Sequence, residues 1–189
     1  MLTAAGLFLG LWVRKPLEIA AICPSSEHLA DTLALHVDWR RPGMVLELGA
    51  GTGSLTRGLL RRGCPPGRLI ALEREPQLAA LLRRDLPEVA VIEGDATRIG
   101  DYLAERHIDR LAGVVSSLPI KWFSLEAQRA VVLPCLERLG RSGQFLQVTN
   151  AFSSPIAIGS LGIAGCEVRR VWRNLPPAQV WAYTQHSGA

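Results

Sequence analysis

Short apolar runs alternate with longer amphipathic segments along most of the chain. A short apolar run bounded by turn residues is typical of a buried strand, whereas apolar residues at every third or fourth position predict a helix. This rule predicts strands at 44–48, 68–73, 89–93, 111–115 and 144–149, and helices at 27–36, 54–62, 75–85, 99–107 and 125–139. Such alternation is typical of an α/β domain built on a parallel sheet.

The last third of the chain has a different pattern. Residues 156–164 are weakly patterned, but residues 166–173 and 179–184 alternate apolar and polar positions on either side of a proline-containing turn. Alternation with a period of two predicts an antiparallel pair of half-buried strands. We therefore expect one α/β domain at 16–189, with a mostly parallel sheet of seven strands, an antiparallel C-terminal edge and helices on both faces.

The first 13 residues are almost wholly apolar and are followed by Arg14 and Lys15. They are too few to cross a bilayer as a helix, and no basic stretch precedes them as in a signal peptide. They could pack on the core of the domain or form a disordered tail. Alternatively, they could form an amphipathic helix in a membrane surface, with Phe8, Leu11 and Trp12 inserted. The residues alone leave these alternatives open.

Composition and charge narrow the class of protein. The 189 residues are 48% hydrophobic and 20% charged, which excludes global disorder, and they are too few for two such domains. The net charge of +4 comes from the half of the chain after residue 96. The four cysteines are far apart and have no histidine nearby, so they are predicted to be buried thiols in a reducing compartment and not metal ligands or disulfides. No metal site is expected. The cysteines are Cys23, Cys64, Cys135 and Cys166.

The first candidate ligand-binding residues lie at the end of the first predicted strand. Gly49, Gly51 and Gly53 alternate with other residues there, and Glu47 lies inside the strand. Glycine has no Cβ, so a ligand can lie against bare backbone, and the helix predicted to begin at Ser54 points unpaired N–H groups at that ligand. The pattern predicts a nucleotide-type site, although the spacing differs from the Gly-x-Gly-x-x-Gly of dinucleotide folds. A glycine turn needed only for close packing is the simpler alternative.

Three later segments extend this site. Glu73 ends the second predicted strand, at about the distance from the glycines at which an acid meets ribose hydroxyls. Asp95 follows the third strand, where it could accept from the exocyclic amine of adenine while the Ala96 N–H faces a ring nitrogen. Residues 116–120 follow the fourth strand, at the edge where open α/β sheets place their chemistry.

With these segments placed, the sequence resembles the bacterial phospholipid N-methyltransferases, relatives of the ribosomal-RNA adenine dimethylases within the class I S-adenosylmethionine-dependent methyltransferases. The resemblance runs nearly from end to end. The glycine motif VLELGAGTGSLT at 45–56 is shared by the whole superfamily and says nothing about substrate. The segments PSS at 24–26 and VWRNLPPAQVWAY at 171–183 are far more restrictive and carry the resemblance to this family.

The resemblance implies a Rossmann-like class I methyltransferase fold that uses S-adenosyl-L-methionine to methylate the headgroup amine of a membrane phospholipid, with phosphatidylethanolamine as the expected acceptor. It implies a cytoplasmic protein held at the inner leaflet, with a helix at 1–15 on the anionic membrane surface and no nucleic acid partner. Ser117, Leu118 and Pro119 are implied at the catalytic end. The implied cofactor-binding residues are Ser25, Ser26, Glu47, Gly49, Gly51, Thr52, Gly53, Glu73, Arg74, Asp95, Ala96 and Ser116.

Two departures from the family pattern concern the acceptor pocket. The family usually has Ser-Gly-Leu-Pro-Leu where this chain has Ser-Ser-Leu-Pro-Ile at 116–120, and an aromatic Tyr-Gly where this chain has Asn150 and Ala151. The alternatives are another amine lipid such as ornithine lipid, a non-catalytic cofactor-binding membrane protein, or an RNA adenine dimethylase. The dimethylases have Asn-Leu-Pro-aromatic at the fourth strand, and neither Ser117 nor Ile120 suits those roles. No histidine or carboxylate is an obvious base, and the sequence does not determine the oligomeric state.

Overall fold

The computed structural model describes residues 27–172 and 177–186, and its centre is a seven-stranded sheet. The strand order is β3-β2-β1-β4-β5-β7-β6, with β1 to β5 parallel and β7 antiparallel to both β5 and β6. The predicted α/β fold, with its antiparallel C-terminal edge, is confirmed. The strands are β1 (Met44–Leu48), β2 (Leu69–Glu73), β3 (Ala90–Glu93), β4 (Leu111–Ser116), β5 (Phe145–Thr149), β6 (Ile163–Val171) and β7 (Ala178–Gln185).

Helices cover both faces of the sheet, so the central strands are largely apolar on both sides, with Glu47 in β1 and Gln147 in β5 as buried exceptions. Val45 and Leu46 illustrate this, because their side chains join different hydrophobic clusters on opposite faces. The first three helices contribute to one cluster and the last three to the other. The helices are α1 (Glu27–Leu35), α2 (Ser54–Arg61), α3 (Pro76–Asp85), α4 (Ile99–Glu105), α5 (Leu125–Leu139) and α6 (Ile158–Leu161).

The largest differences from the sequence prediction lie near the C-terminal edge. The weakly patterned segment 156–164 contains the short helix α6 and the first residues of β6. Strand β6 was expected to begin at Cys166, but it begins at Ile163. The alternation of the pattern fails at Gly165, where a Cβ would lie 2.6 Å from Cδ1 of Tyr183. The glycine makes room for the ring of a neighbouring strand, so no apolar side chain marks the position.

The prediction that the cysteines are buried is wrong for Cys166. Cys64 and Cys135 are buried, and loss of solvent raises the pKa of Cys64 to about 11 and that of Cys135 to about 12. Cys166 lies on the edge strand β6 and is exposed, since no helix among the described residues covers it. Cys23 lies outside the described residues.

Several N-terminal predictions also fall outside the described residues, namely the helix at 1–15 and the cofactor contacts of Ser25 and Ser26. They stay predictions. Within 27–172 and 177–186, no helix has both the length and the apolar character that crossing a membrane requires.

Candidate cofactor and acceptor site

The candidate site lies where the carboxyl ends of β1, β2, β3 and β4 meet. The order of the strands reverses between β1 and β4, because β2 and β3 lie on one side of β1 while β4 and β5 lie on the other. In open α/β sheets such a switch point leaves a crevice at the carboxyl edge, and ligands bind there. Except for Glu47, which lies inside β1, every described residue that the sequence assigns to the site follows or ends one of these four strands.

The glycine loop requires glycine for its backbone conformation. Gly49, Gly51 and Gly53 have φ angles of +77°, +56° and +81°, a region that side chains with a Cβ rarely adopt. The N–H groups of Gly49 and Ala50 both donate to the Leu72 carbonyl, at 2.9 and 3.1 Å, which fixes the start of the loop against β2. Thr52, the remaining predicted contact in this loop, is half-buried.

Space as well as conformation favours glycine at position 49. A Cβ there would lie 3.0 Å from Cδ2 of Leu118 and 3.4 Å from Oγ of Ser117. The glycine loop and the loop after β4 are therefore in direct contact, and the bare backbone between them forms a cradle that a side chain would fill.

Glu73 ends β2, and its buried carboxylate binds the backbone of the glycine loop. Oε2 accepts a hydrogen bond of 2.7 Å from the Gly51 N–H, and Oε1 accepts one of 2.9 Å from the Glu75 N–H. Each carboxylate oxygen has about two acceptor sites, so both can still accept from a ribose hydroxyl. The sequence predicted the acid at this position but not its bonds to Gly51 and Glu75.

Asp95 follows β3, and the Gly94 N–H beside it donates to the Glu73 carbonyl at 3.0 Å. Oδ1 of Asp95 accepts from the Thr97 N–H and hydroxyl, at 2.8 and 2.7 Å. These bonds, together with the positive charge of Arg74, hold the pKa of Asp95 below its ordinary value. An exposed carboxylate that stays ionised at neutral pH is suited to accept from an amine.

The remaining residues of the predicted cofactor set lie close to these groups in the chain. Arg74 follows Glu73 and is exposed, and Ala96 follows Asp95 and is buried. Ser116 ends β4 and is buried. The cofactor contacts assigned to these residues stay predictions.

Glu47 is fully buried in β1, and neither of its carboxyl oxygens has a hydrogen bond within ordinary limits among the described residues. Burial raises its pKa to about 8; the proximity of Thr56 lowers it, and the negative charge of Glu73 raises it further. A buried carboxyl without a partner favours a nearby cation, which would stabilise its charged form. S-adenosylmethionine carries such charges, so the orphaned carboxyl and the glycine cradle fit that cofactor.

The loop after β4 is held to both neighbouring strands. The Ser117 hydroxyl donates to the Gly49 carbonyl at 2.7 Å, and the Ser117 N–H donates to the Leu48 carbonyl at 3.0 Å. From β5, Nε2 of Gln147 donates to the Leu118 carbonyl at 2.9 Å. Since the hydrogen of the Ser117 hydroxyl is bound to Gly49, the lone pairs of its oxygen can accept from an amine.

Gln147 is a functional candidate that the sequence analysis did not single out. It is fully buried, its Oε1 has no hydrogen-bond partner among the described residues, and its amide nitrogen fixes the position of Leu118. A lone polar residue inside the apolar run of β5 was the available signal, because a buried amide needs partners.

His107 and His186 lie away from the candidate site at the carboxyl edge of the sheet. His107 follows α4 and His186 follows β7, and both are exposed at the opposite edge of the sheet. Within the described ranges, no group of three histidine, cysteine or acidic residues is arranged to hold a metal ion.

The relatives found by sequence comparison include a lipid methyltransferase and RNA methyltransferases. No family model matches the chain. Over 146 residues the chain is 38% identical to an ornithine lipid N-methyltransferase from Singulisphaera acidiphila, and the match covers 76% of each chain. Over 175 residues it is 32% identical to the ribosomal RNA small subunit methyltransferase A of Anaeromyxobacter dehalogenans. That match covers 82% of this chain but 58% of the relative, so the chain spans little more than half of the RNA methyltransferase.

Solved structures show the same fold at low identity. TrmN from Thermus thermophilus matches with a TM-score of 0.65 and 19% identity, over 93% of this chain and 53% of that chain. An O-methyltransferase from Bacillus cereus in complex with SAH matches with a TM-score of 0.62 and 13% identity, over 95% of this chain and 89% of that chain. At these identities the likeness shows the fold alone.

Proposed function

The chain belongs to the class I S-adenosylmethionine-dependent methyltransferases, and we propose that it methylates the headgroup amine of a membrane lipid. The observation that carries this proposal is the 38% identity, over 76% of each chain, to a protein named for the N-methylation of a lipid. The fold and cofactor are common to methyltransferases of many kinds, so the acceptor must be argued from the loop after β4 and from this relative.

The residues of the crevice are suited to bind the cofactor of this reaction. When bound, S-adenosylmethionine supplies a methyl group on a positively charged sulfur. We infer that Glu73 accepts from its ribose and that Asp95 accepts from its adenine amine. We also infer that Glu47, whose raised pKa keeps it protonated when the site holds no cation, ionises when the positively charged cofactor binds. Positioning of the two reactants and exclusion of water can lower the barrier of such a displacement without a strong acid or base.

Binding of the acceptor amine depends on oxygen atoms of the loop after β4. An amine attacks only with a free lone pair, and in the course of the reaction it must give up a proton. The Ser117 oxygen and the backbone carbonyls of this loop can accept N–H groups and thereby aim the lone pair, while water carries the proton away. Ser117, Leu118 and Pro119 are thus proposed as the residues that touch the acceptor.

An RNA base suits this loop less well than a lipid amine. A base bound for methylation is stacked on an aromatic ring, but position 120, after Leu-Pro, is the buried Ile120. Position 117 is a serine whose hydroxyl is bound to Gly49, where the dimethylases have an asparagine. These differences favour the lipid relative over the RNA methyltransferase relatives.

Two headgroups are proposed in order. Phosphatidylethanolamine is the acceptor expected from the family resemblance, and ornithine lipid is the second candidate because the relative from Singulisphaera is named for it. Both present an amine at a membrane surface. We also propose that the protein associates peripherally with the inner leaflet, with residues 1–15 as its interfacial segment.

The test is methyl transfer by the purified full chain. S-adenosylmethionine with a labelled methyl group is incubated with vesicles that contain phosphatidylethanolamine, with vesicles that contain ornithine lipid, and with small-subunit ribosomal RNA. We expect label in a lipid extract, and mass spectrometry then identifies the lipid and the number of methyl groups. Label in RNA and not in lipid, or cofactor binding without transfer to any of the three, would overturn the proposal.

A further inference from the structure

Three strongly exposed aromatic side chains follow the carboxyl ends of three strands. Trp122 comes after β4, Phe152 after β5 and Trp172 after β6, and they are 78%, 90% and 70% exposed. Strands β5 and β6 are both antiparallel to β7, so β4, β5 and β6 point the same way. The three rings, called the aromatic rim below, therefore lie at the same edge of the sheet as the candidate site.

The aromatic rim occupies the acceptor half of that edge. Glu73 ends β2 and Asp95 follows β3 on one side of the switch point, whereas the rim follows the strands on the other side. Two of the rim segments are tied together by Gln128, whose Nε2 donates to the Ile120 carbonyl at 3.1 Å and whose Oε1 accepts from the Ala157 N–H at 2.9 Å. Trp122 and Phe152 are thus exposed at the same edge of the sheet as the loop of Ser117.

A basic side chain lies beside two of the rings. The ammonium of Lys121 lies 5.6 Å from the centre of the Trp122 ring, and the guanidinium of Arg170 lies 5.5 Å from the centre of the Trp172 ring. Arg170 also binds Glu167 at 3.1 Å, while Arg169 beside it is exposed. An aromatic ring with a basic group beside it suits the boundary of an anionic bilayer, where the ring enters the headgroup layer and the cation meets phosphates.

We propose that the aromatic rim contacts the surface of an anionic lipid bilayer, so that a headgroup amine reaches the loop of Ser117 while its acyl chains stay in the membrane. This inference rests on the proposed function for its purpose, but the contact can be measured without turnover. Separate protruding rings with basic neighbours favour a lipid surface, whereas a protein partner usually meets a contiguous apolar patch.

The test is flotation of the full chain with vesicles of phosphatidylcholine, alone or mixed with phosphatidylglycerol, in the absence of cofactor. Trp122→Ser and Phe152→Ser are each expected to weaken binding to anionic vesicles about tenfold, which corresponds to about 1.4 kcal/mol. Trp122→Phe should keep most of the binding. Leu35→Ser is the matched control, because Leu35 is 76% exposed at the end of α1, outside the aromatic rim, and its loss should change nothing.

Several outcomes would overturn the inference. One is wild-type protein that ignores anionic vesicles, and another is equal binding by the wild type, Trp122→Ser and Phe152→Ser. A third is a dimer, seen by sedimentation velocity, that Phe152→Ser dissociates while vesicle binding is unchanged, since the rim would then be a protein contact. Vesicle binding through the rim without methyl transfer to any amine lipid would refute the proposed function and leave this inference standing.

Discussion

The Gly51 N–H donates a hydrogen bond of 2.7 Å to Oε2 of Glu73, and this bond joins the glycine loop of β1 to the end of β2. One carboxylate therefore supports the loop, and the same group is predicted to accept from the ribose of the cofactor. An acid at this strand end explains the shape of the loop even before a cofactor binds. Removal of Glu73 should consequently affect both the cofactor and the protein.

We expect Glu73→Ala and Asp95→Ala each to weaken S-adenosylmethionine binding, because each removes a charged hydrogen-bond acceptor worth about 1.5–3 kcal/mol, or roughly ten- to hundredfold in affinity. Glu73→Ala should also lower the melting temperature, since it leaves the Gly51 and Glu75 N–H groups without their partner. Titration calorimetry and thermal melts measure the two effects. Glu93→Ala is the control, because Glu93 is an exposed acid at the end of β3 that pairs with Arg83. Wild-type affinity in both site variants would contradict the assignment.

The functional role of Gly49 can be tested by comparison with Gly63, a glycine that also has a positive φ angle but has free space around it. Gly49 and Gly63 both have positive φ angles, but a Cβ at position 63 would meet nothing within 4 Å. Alanine at either position should cost about 1–2 kcal/mol of stability from backbone strain. Only Gly49→Ala should also lower the methyl transfer rate, since its Cβ would press on Leu118 and Ser117. Equal activity of the two variants would show that the cradle has no functional role.

The buried Glu47 predicts a pH dependence of stability. Its pKa is raised from 4.5 to about 8 in the folded protein, so between these values the folded state holds a proton that the unfolded state has lost. The free energy of unfolding should therefore fall as the pH rises through this range. Glu47→Gln should flatten the fall and be more stable than the wild type near the upper end. Urea unfolding across the range measures both slopes, and parallel slopes would mean that Glu47 is ionised in the folded protein.

Much of the fold was predictable because its strands are buried on both faces. Residues 111–115 are predicted as a strand because burial on both faces favours a run without polar side chains, and residues 44–48 depart from that rule only at Glu47. The acids of the site were predictable for a related reason: Glu73 interrupts such a run at its last position. For β1 and β2 the local sequence thus indicates where the strand ends, and the parallel topology brings those ends together.

The parts that were missed depend on contacts between distant segments. Gln147 differs from its neighbours in the sequence only as a polar residue inside an apolar run. Its bond to the Leu118 carbonyl joins β5 to the loop after β4, and this contact has no signal in the local sequence. Cys166 looks like other apolar positions in the sequence, and only the order of the strands places it on an uncovered edge. Gly165 interrupts the pattern of β6 because Tyr183 fills the space beside it, which only the pairing of β6 with β7 reveals.

The exposure of Cys166 predicts selective reaction with a thiol reagent. Burial raises the pKa of Cys64 and Cys135, so their thiolates are scarce at neutral pH and also inaccessible. Among the three described cysteines, Cys166 should be labelled first by a maleimide in the folded protein. Peptide mass mapping locates the label, and Cys166→Ser is the control. Faster labelling of Cys135 would indicate that the face covered by α5 opens readily.

The last prediction concerns Gln147 as a positioning residue for the acceptor. Its amide nitrogen donates to the Leu118 carbonyl at 2.9 Å and to the Val148 carbonyl at 2.6 Å, and the Leu118 carbonyl otherwise accepts only from the Ile120 N–H at 2.8 Å among the described residues. Gln147→Leu keeps the side chain buried but removes the donor. The loop that carries Ser117 should then lose its fixed position without a change in the glycine loop.

We expect Gln147→Leu to lower kcat for amine lipid by about five- to hundredfold, equivalent to about 1–3 kcal/mol for the lost buried hydrogen bonds, while the affinity for S-adenosylmethionine stays near that of the wild type. Gln128→Leu is the matched control, because this second buried glutamine binds Ile120, Phe123 and Ala157 but not Leu118. A purely structural role for Gln147 predicts equal losses of stability and activity in both variants. A positioning role predicts similar melting temperatures but a larger fall in kcat for Gln147→Leu. Because kcat and cofactor affinity are measured separately, a fall in affinity alone would place Gln147 in the cofactor half and contradict the assignment.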